Sequence, residues 1–370
     1  MRRALMLIVT ATLVLAACTP GPTGSASQSP SKTADIKRTK LDIAYSGFVD
    51  DDLHHVTSKK ALEAALDGVR AAVRKAGGKD DVGTPEFQDT DSPQTADFNK
   101  FADAVSQLAS RADLSADQIA DAAITGMLAA SPDCHTYYVT ASGSVFHSLA
   151  YTPKGSQAMV PSQGTSLGGP DEAGMTGKML PDGIAYITFH AWINTGTYRL
   201  NDALRSILDK ALAQGAKAWL IDLRGNLGGF PVDISSFFLN GEPTRTVLLK
   251  NGNGGTATAN KDLRLPAAYQ LPMVIIANDR TASGSEHFIL DLKEGKRMTL
   301  VGSTTTGCVG GADEFRAPDN ALFSIVTQEV VGAVSGSRYN NKGIPPDVQS
   351  DDATAVDKAI EILKQKIAGG

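Results

Sequence analysis

"LPMVIIANDRTASGSEHF" (Leu271–Phe288) contains a strand, a turn and a helix start in one short stretch. "LPMVIIA" (Leu271–Ala277) is an apolar run with β-branched residues, as expected of a buried strand. A polar turn follows, and a helix is expected from about Ser283 to Glu294. A strand that passes into a helix through such a turn is the building step of an α/β layered fold. Ser283 stands between Ala282 and Gly284, so its hydroxyl has only small neighbours. That collar suits a helix N-cap, and it suits a nucleophile that must leave room for a substrate carbonyl. Taken alone, it favours the cap.

The same alternation continues on both sides. Upstream, "IAYITF" predicts a strand, "YRLNDALRSILDKALAQG" an amphipathic helix ended by Gly215, "KAWLID" a strand, "VDISSFFLNG" a short helix and "TRTVLLK" a strand. Downstream, "MTLVG" and "ALFSIVTQEVVGAV" predict strands, and "TAVDKAIEILKQKI" a closing helix. "DLRGNLGGF" (Asp222–Phe230) forms a second loop after a core strand. In α/β sheets such loops gather at the carboxyl ends of strands, where sites form. Paired glycines there allow close backbone approach, and free amides can face a developing oxyanion.

Before this core the texture is helical. "TSKKALEAALDGVRAAVRKAGG" puts Ala61, Leu62, Ala65, Leu66, Val69 and Val73 on one stripe. "TADFNKFADAVSQLASRA" and "SADQIADAAITGMLAASP" repeat the pattern, the latter with Ser115 as N-cap. The expected organisation is residues 1–18 a leader, 19–40 a tether, 41–136 a helical subdomain, 137–182 short strands and loops, and 183–370 the core.

The leader reading rests on "MRRALMLIVTATLVLAAC". A basic start and a short apolar run suit a secretory signal rather than a spanning helix. It ends in "LAAC", which resembles a lipoprotein lipobox, and this makes Cys18 the lipidation site. The Pro/Ser/Gly/Thr run after it cannot build a core. The expected location is extracytoplasmic, on a lipid anchor to the membrane. Net charge is −5, and the chain shows no basic stripe, which argues against nucleic acid as a partner. Cys18, Cys134 and Cys308 are the three cysteines. The chain has neither CxxC nor HExxH, so no metal site is indicated.

"IAYITF", "AWLIDLRGNLGG", "PMVIIANDRTASGSE", "LVGSTTTG" and "NKGIPPD" occur in that order. As a set they resemble the tail-specific, or C-terminal processing, serine peptidases over residues 184 to 348. Among these the chain is most similar to the branch with the tricorn core and the interphotoreceptor retinoid-binding proteins. The resemblance implies a crotonase-like α/β core, a polypeptide substrate and no cofactor. It implies Ser283 as nucleophile and the amides of Gly229 and Gly284 as oxyanion donors. The lysine used as base in the tail-specific branch falls on Cys308, which excludes that version. The histidine-using branch puts the base in "SPDCHTYY", on His135, in preference to His54, His55, His147, His190 or His287. An imidazole suits the task, because such rings titrate near neutral pH.

The orienting groups depart from the family pattern. A serine before the histidine is replaced by Cys134, and a glutamate by Asn340. Asp133 is a further orienting candidate, of unknown direction. If these assignments hold, Cys134 and Cys308 border one site, and a disulfide between them is expected. Only 48 residues separate His135 from Ile184, too few for the peptide-binding module that many members insert there. The alternative to a peptidase is an inactive relative that binds a peptide or apolar ligand.

Overall fold

The computed structural model describes residues 38–369 apart from 150, 151, 230 and 231. The leader, Cys18 and most of the expected tether lie outside the described residues. Four helices open the described chain: α1 (Arg38–Asp50), α2 (Ser58–Lys75), α3 (Thr95–Ala109) and α4 (Ala116–Leu128). The stripe on α2 is buried at every position expected. Ser115 caps α4, accepting from the Gln118 amide at 3.2 Å while Gln118 Oε1 accepts from the Ser115 amide at 2.8 Å. Helices α2 and α4 cross at Gly68 and Gly126, where a methyl group on Gly68 would lie 2.2 Å from the Ala122 carbonyl oxygen.

The tether does not reach residue 40. Lys40 is 2% exposed inside α1, and its ammonium meets Asp121 at 2.6 Å and Asp319 at 3.1 Å. A lysine paired to two carboxylates occupies a core position that its residue type conceals. α1 is also a helix that the sequence reading did not separate from its surroundings.

The strands follow in chain order: β1 (Tyr137–Val139), β2 (Val145–His147), β3 (Thr165–Gly168), β4 (Thr176–Met179) and β5 (Ile184–Thr188). Helix α5 (Leu200–Ala213) leads to β6 (Ala218–Asp222), β7 (Pro243–Leu249) and β8 (Gly252–Thr258). A short α6 (Pro266–Gln270) precedes β9 (Met273–Ala277), α7 (Gly284–Glu294) and β10 (Thr299–Gly302). β11 (Gly311–Arg316), β12 (Leu322–Gly332), β13 (Val348–Gln349) and α8 (Ala355–Gly369) complete the chain. "VDISSFFLNG" forms only a 3₁₀ turn, Ser235–Phe238.

Two sheets result. The larger has the order β13-β10-β9-β6-β5-β4-β3, parallel from β13 to β5 and antiparallel beyond. All five residues of β5, β6 and β9 are buried, as parallel strands covered on both faces require. One face packs α5, α6 and the 3₁₀ turn, and the other packs α8. The second sheet runs β2-β1-β12-β7-β8, with β11 also on β12. Phe323 and Ile325 of β12 share one core with α1 to α4, so the helical bundle is seated on this sheet. The fold is α/β with an N-terminal helical bundle. The stretch between His135 and Ile184 holds β1 to β4 and a segment laid across the strand ends. There Asp279 accepts from the Lys154 and Gly155 amides at 2.9 and 2.7 Å, and the Ala158 amide donates to the Arg224 carbonyl at 2.9 Å.

Candidate active site

Ser283 sits where β9 has ended and α7 begins, at φ 52° and ψ −117°. A non-glycine residue in that region carries strain of about 1–3 kcal/mol and needs its surroundings to hold it. Glu286 does much of the holding. Its Oε2 accepts from the Ser283 amide at 2.9 Å and the Cys308 amide at 2.8 Å. Its Oε1 accepts from Thr305 Oγ1 at 2.5 Å and the Gly307 amide at 2.7 Å. Burial pushes the Glu286 carboxyl up, and these four donors oppose the push. The place of Glu286 between the Ser283 turn and the 305–308 loop is not legible in the sequence.

Asn226, in the first loop, ties the two loops together. Its carbonyl accepts from the Ala282 amide at 3.0 Å, and its side chain bridges the Phe189 carbonyl and the Gly228 amide. Gly228 makes the close approach that paired glycines promised. A methyl group there would lie 2.6 Å from Ser283 Cβ and 2.7 Å from the Gly284 nitrogen. The Gly229 and Gly284 amides make no hydrogen bond among the described residues. Gly284 is the first residue of α7, at the positive end of its dipole. Ser285 faces inward instead, accepting from Trp192 Nε1 at 2.8 Å.

His135 comes to Ser283 from the other sheet. It lies just before β1, and its carbonyl accepts from Ser324 Oγ of β12 at 2.7 Å. Its Nε2 stands 3.1 Å from Ser283 Oγ, although 148 positions separate the two residues. Nδ1 faces Asp133 Oδ1 at 3.7 Å and the Cys134 sulfur at 3.5 Å. Asp133 is fully buried, and its Oδ1 accepts from the His135 amide at 2.8 Å. Burial opposes its ionisation, but hydrogen bonding from His135, His54 and Asn340 outweighs this and holds the carboxyl well below the usual range.

Asn340 requires a correction. It was expected to orient the imidazole, but it does not touch His135. Its Nδ2 donates to Asp133 Oδ2 at 2.7 Å, and its Oδ1 accepts from the Val309 and Gly310 amides. The carboxylate beside the imidazole is Asp133, and Asn340 fixes that carboxylate. His287 lies on α7 itself, yet its Nε2 meets the Val309 carbonyl at 3.0 Å, and burial and Arg245 push its imidazole down to about 3.

Cys134 and Cys308 form a disulfide, with Cα atoms 5.8 Å apart. It joins the His135 loop to the loop held by Glu286. Donor atoms of Asp133, Cys134 and His135 lie within 4.8 Å of one another, but the bonded sulfur is no longer the thiolate that a metal would need.

Residues 183–350 match the model for Peptidase family S41. That region of the chain belongs to that family. The carboxy-terminal processing protease CtpA of Bacillus subtilis (strain 168) is 30% identical over 180 residues, which is 47% of this chain and 36% of that protein. The probable CtpA-like serine protease of Staphylococcus aureus (strain COL) is 30% identical over 173 residues, 45% of this chain and 33% of that protein. The chain thus spans about a third of the length of these curated relatives. A solved structure from Parabacteroides merdae ATCC 43184 shares the fold at a TM-score of 0.53 and 16% identity, covering 88% of this chain and 96% of that one.

Proposed function

We propose that this S41 member is a serine peptidase acting on polypeptides through Ser283 and His135. The observation that carries the reading is the 3.1 Å approach of His135 Nε2 to Ser283 Oγ. With its N–H at Nδ1 directed to Asp133, the ring keeps the Nε2 lone pair for the serine proton. Ser283 Oγ then bonds to the scissile carbonyl carbon, and its proton passes to Nε2. The oxyanion is held by the Gly229 and Gly284 amides at the start of α7. Collapse breaks the C–N bond, and the amine leaves with the proton from Nε2. Water, deprotonated by the same imidazole, releases the acyl group and restores Ser283. Asp133 supplies the negative charge that stabilises the imidazolium, in place of the glutamate replaced by Asn340.

A fluorophosphonate probe tests this directly, because it bonds only to an activated serine. Labelling of the native chain at Ser283, lost in Ser283→Ala, is expected. Folded native protein that stays unlabelled would leave the alternative, a non-catalytic ligand-binding lipoprotein.

The same proposal places the protein outside the cytoplasm on a lipid anchor at Cys18. The leader ending in "LAAC" and the Cys134–Cys308 bridge support this, since disulfides persist in oxidising compartments. The intact mass of membrane-extracted protein is expected to match a chain beginning at an acylated Cys18. An unmodified N-terminus elsewhere would refute the anchor.

A further inference from the structure

Asp133 faces two imidazoles, and the reaction above employs one. Its Oδ1 serves His135, and its Oδ2 lies 3.4 Å from His54 Nε2. We propose that His54 is a positioning residue for the Ser283–His135 pair, acting through the buried Asp133 carboxylate that the two rings share. The inference rests on the peptidase reading.

His54 belongs to the turn that follows α1, far from the core in sequence. That turn is docked on β12, where the Leu53 amide donates to the Val326 carbonyl at 2.9 Å. β12 also supplies Ser324 to His135, so one strand sets the place of both rings. The His54 amide donates to Asp52 Oδ1 at 2.8 Å, and His55 adopts a left-handed φ of 52° beside it. His54 Nε2 is shielded from solvent and faces Asp133 Oδ2 at 3.4 Å, a long contact that is its approach to a polar partner among the described residues. The His54 side chain as a whole is 29% exposed and borders a cleft of about 380 Å³, lined by Leu53, His55, Leu248, Glu329, Arg338 and Asn341. Protons can reach the ring from that cleft.

The charged groups around His54 come from several elements. Asp133 lies on the His135 loop, Asp52 on the same turn, Lys60 on α2, and the paired Glu329 and Arg338 across the cleft. The Asp133 hydrogen bond is the largest influence and pulls the His54 imidazole up; burial and Lys60 oppose it, and Asp52 adds to it. A protonated His54 draws on the same Asp133 charge that faces His135. Loss of that proton returns the charge to His135. The charge state of His54 therefore bears on the carboxylate that holds His135.

NMR titration of the imidazoles in the full chain tests the link without any need for turnover. In His54→Gln a neutral donor remains and the titrating charge is gone. The His135 ring resonances of the native chain are expected to respond to the protonation of His54, and that response is expected to vanish in His54→Gln. Its kcat is expected to stay within about threefold of native at alkaline pH, with one ionisation missing from the pH profile. His54→Ala removes the donor as well, and kcat is expected to fall about tenfold or more with KM unchanged. His135 resonances that are the same in native and folded His54→Gln overturn the proposal. A native chain that resists the fluorophosphonate probe while the His135 response persists overturns the peptidase reading and leaves the coupling through Asp133 demonstrated.

Discussion

His135→Ala is expected to lower kcat on an unstructured polypeptide by roughly 10³-fold or more, with KM near the native value. A neutral serine is a weak nucleophile, and His135 Nε2, 3.1 Å from Ser283 Oγ, is the base of the proposed mechanism. The proton moves only in the transition state, so the loss belongs in kcat rather than in binding. Ser283→Ala is expected to remove hydrolysis altogether. His287→Ala is the control, since that ring meets the Val309 carbonyl and not the serine hydroxyl. Steady-state kinetics on the three variants decide the matter. A His135→Ala chain with native kcat, or a His287→Ala chain that alone loses activity, would move the base elsewhere.

Replacing both Cys134 and Cys308 with alanine is expected to destabilise the fold by roughly 3–5 kcal/mol. The bridge closes a sequence separation of 174, and long closed loops restrict the unfolded chain most. Its ends also matter locally. Cys134 adjoins His135, and the Cys308 amide is held by the carboxylate that holds the Ser283 amide. Loss of the bridge is therefore expected to lower kcat as well as the denaturation midpoint. Denaturant titration of the double variant against the native chain is the measurement. An unchanged midpoint would show that the bridge does not restrain the native protein.

How much of this was legible in the sequence depended on the range of each signal. The strands β5, β6 and β9 were readable, because parallel strands buried on both faces are continuous apolar runs. The stripe on α2 was readable by its period. β8 was not: "GNGGTAT" is exposed along its whole length and has no apolar alternation, so its pairing with β7 holds it rather than its composition. α1 was blurred by a charged residue at a core position, Lys40.

The same division runs through the candidate site. Ser283, His135, the two glycines and the cysteine pair were pointed to by the family resemblance that the ordered motifs carry. Local residue types alone left Ser283 an N-cap and the glycines a turn. Tertiary structure alone decided which carboxylate meets the imidazole. Asp133, Asn340 and His54 are far apart in the chain, and only the docking of the α1 turn and the β1 hairpin on β12 brings them together. Side-chain direction in a buried polar cluster is set by which donors remain unsatisfied after the backbone has packed, and no local pattern in the sequence encodes that.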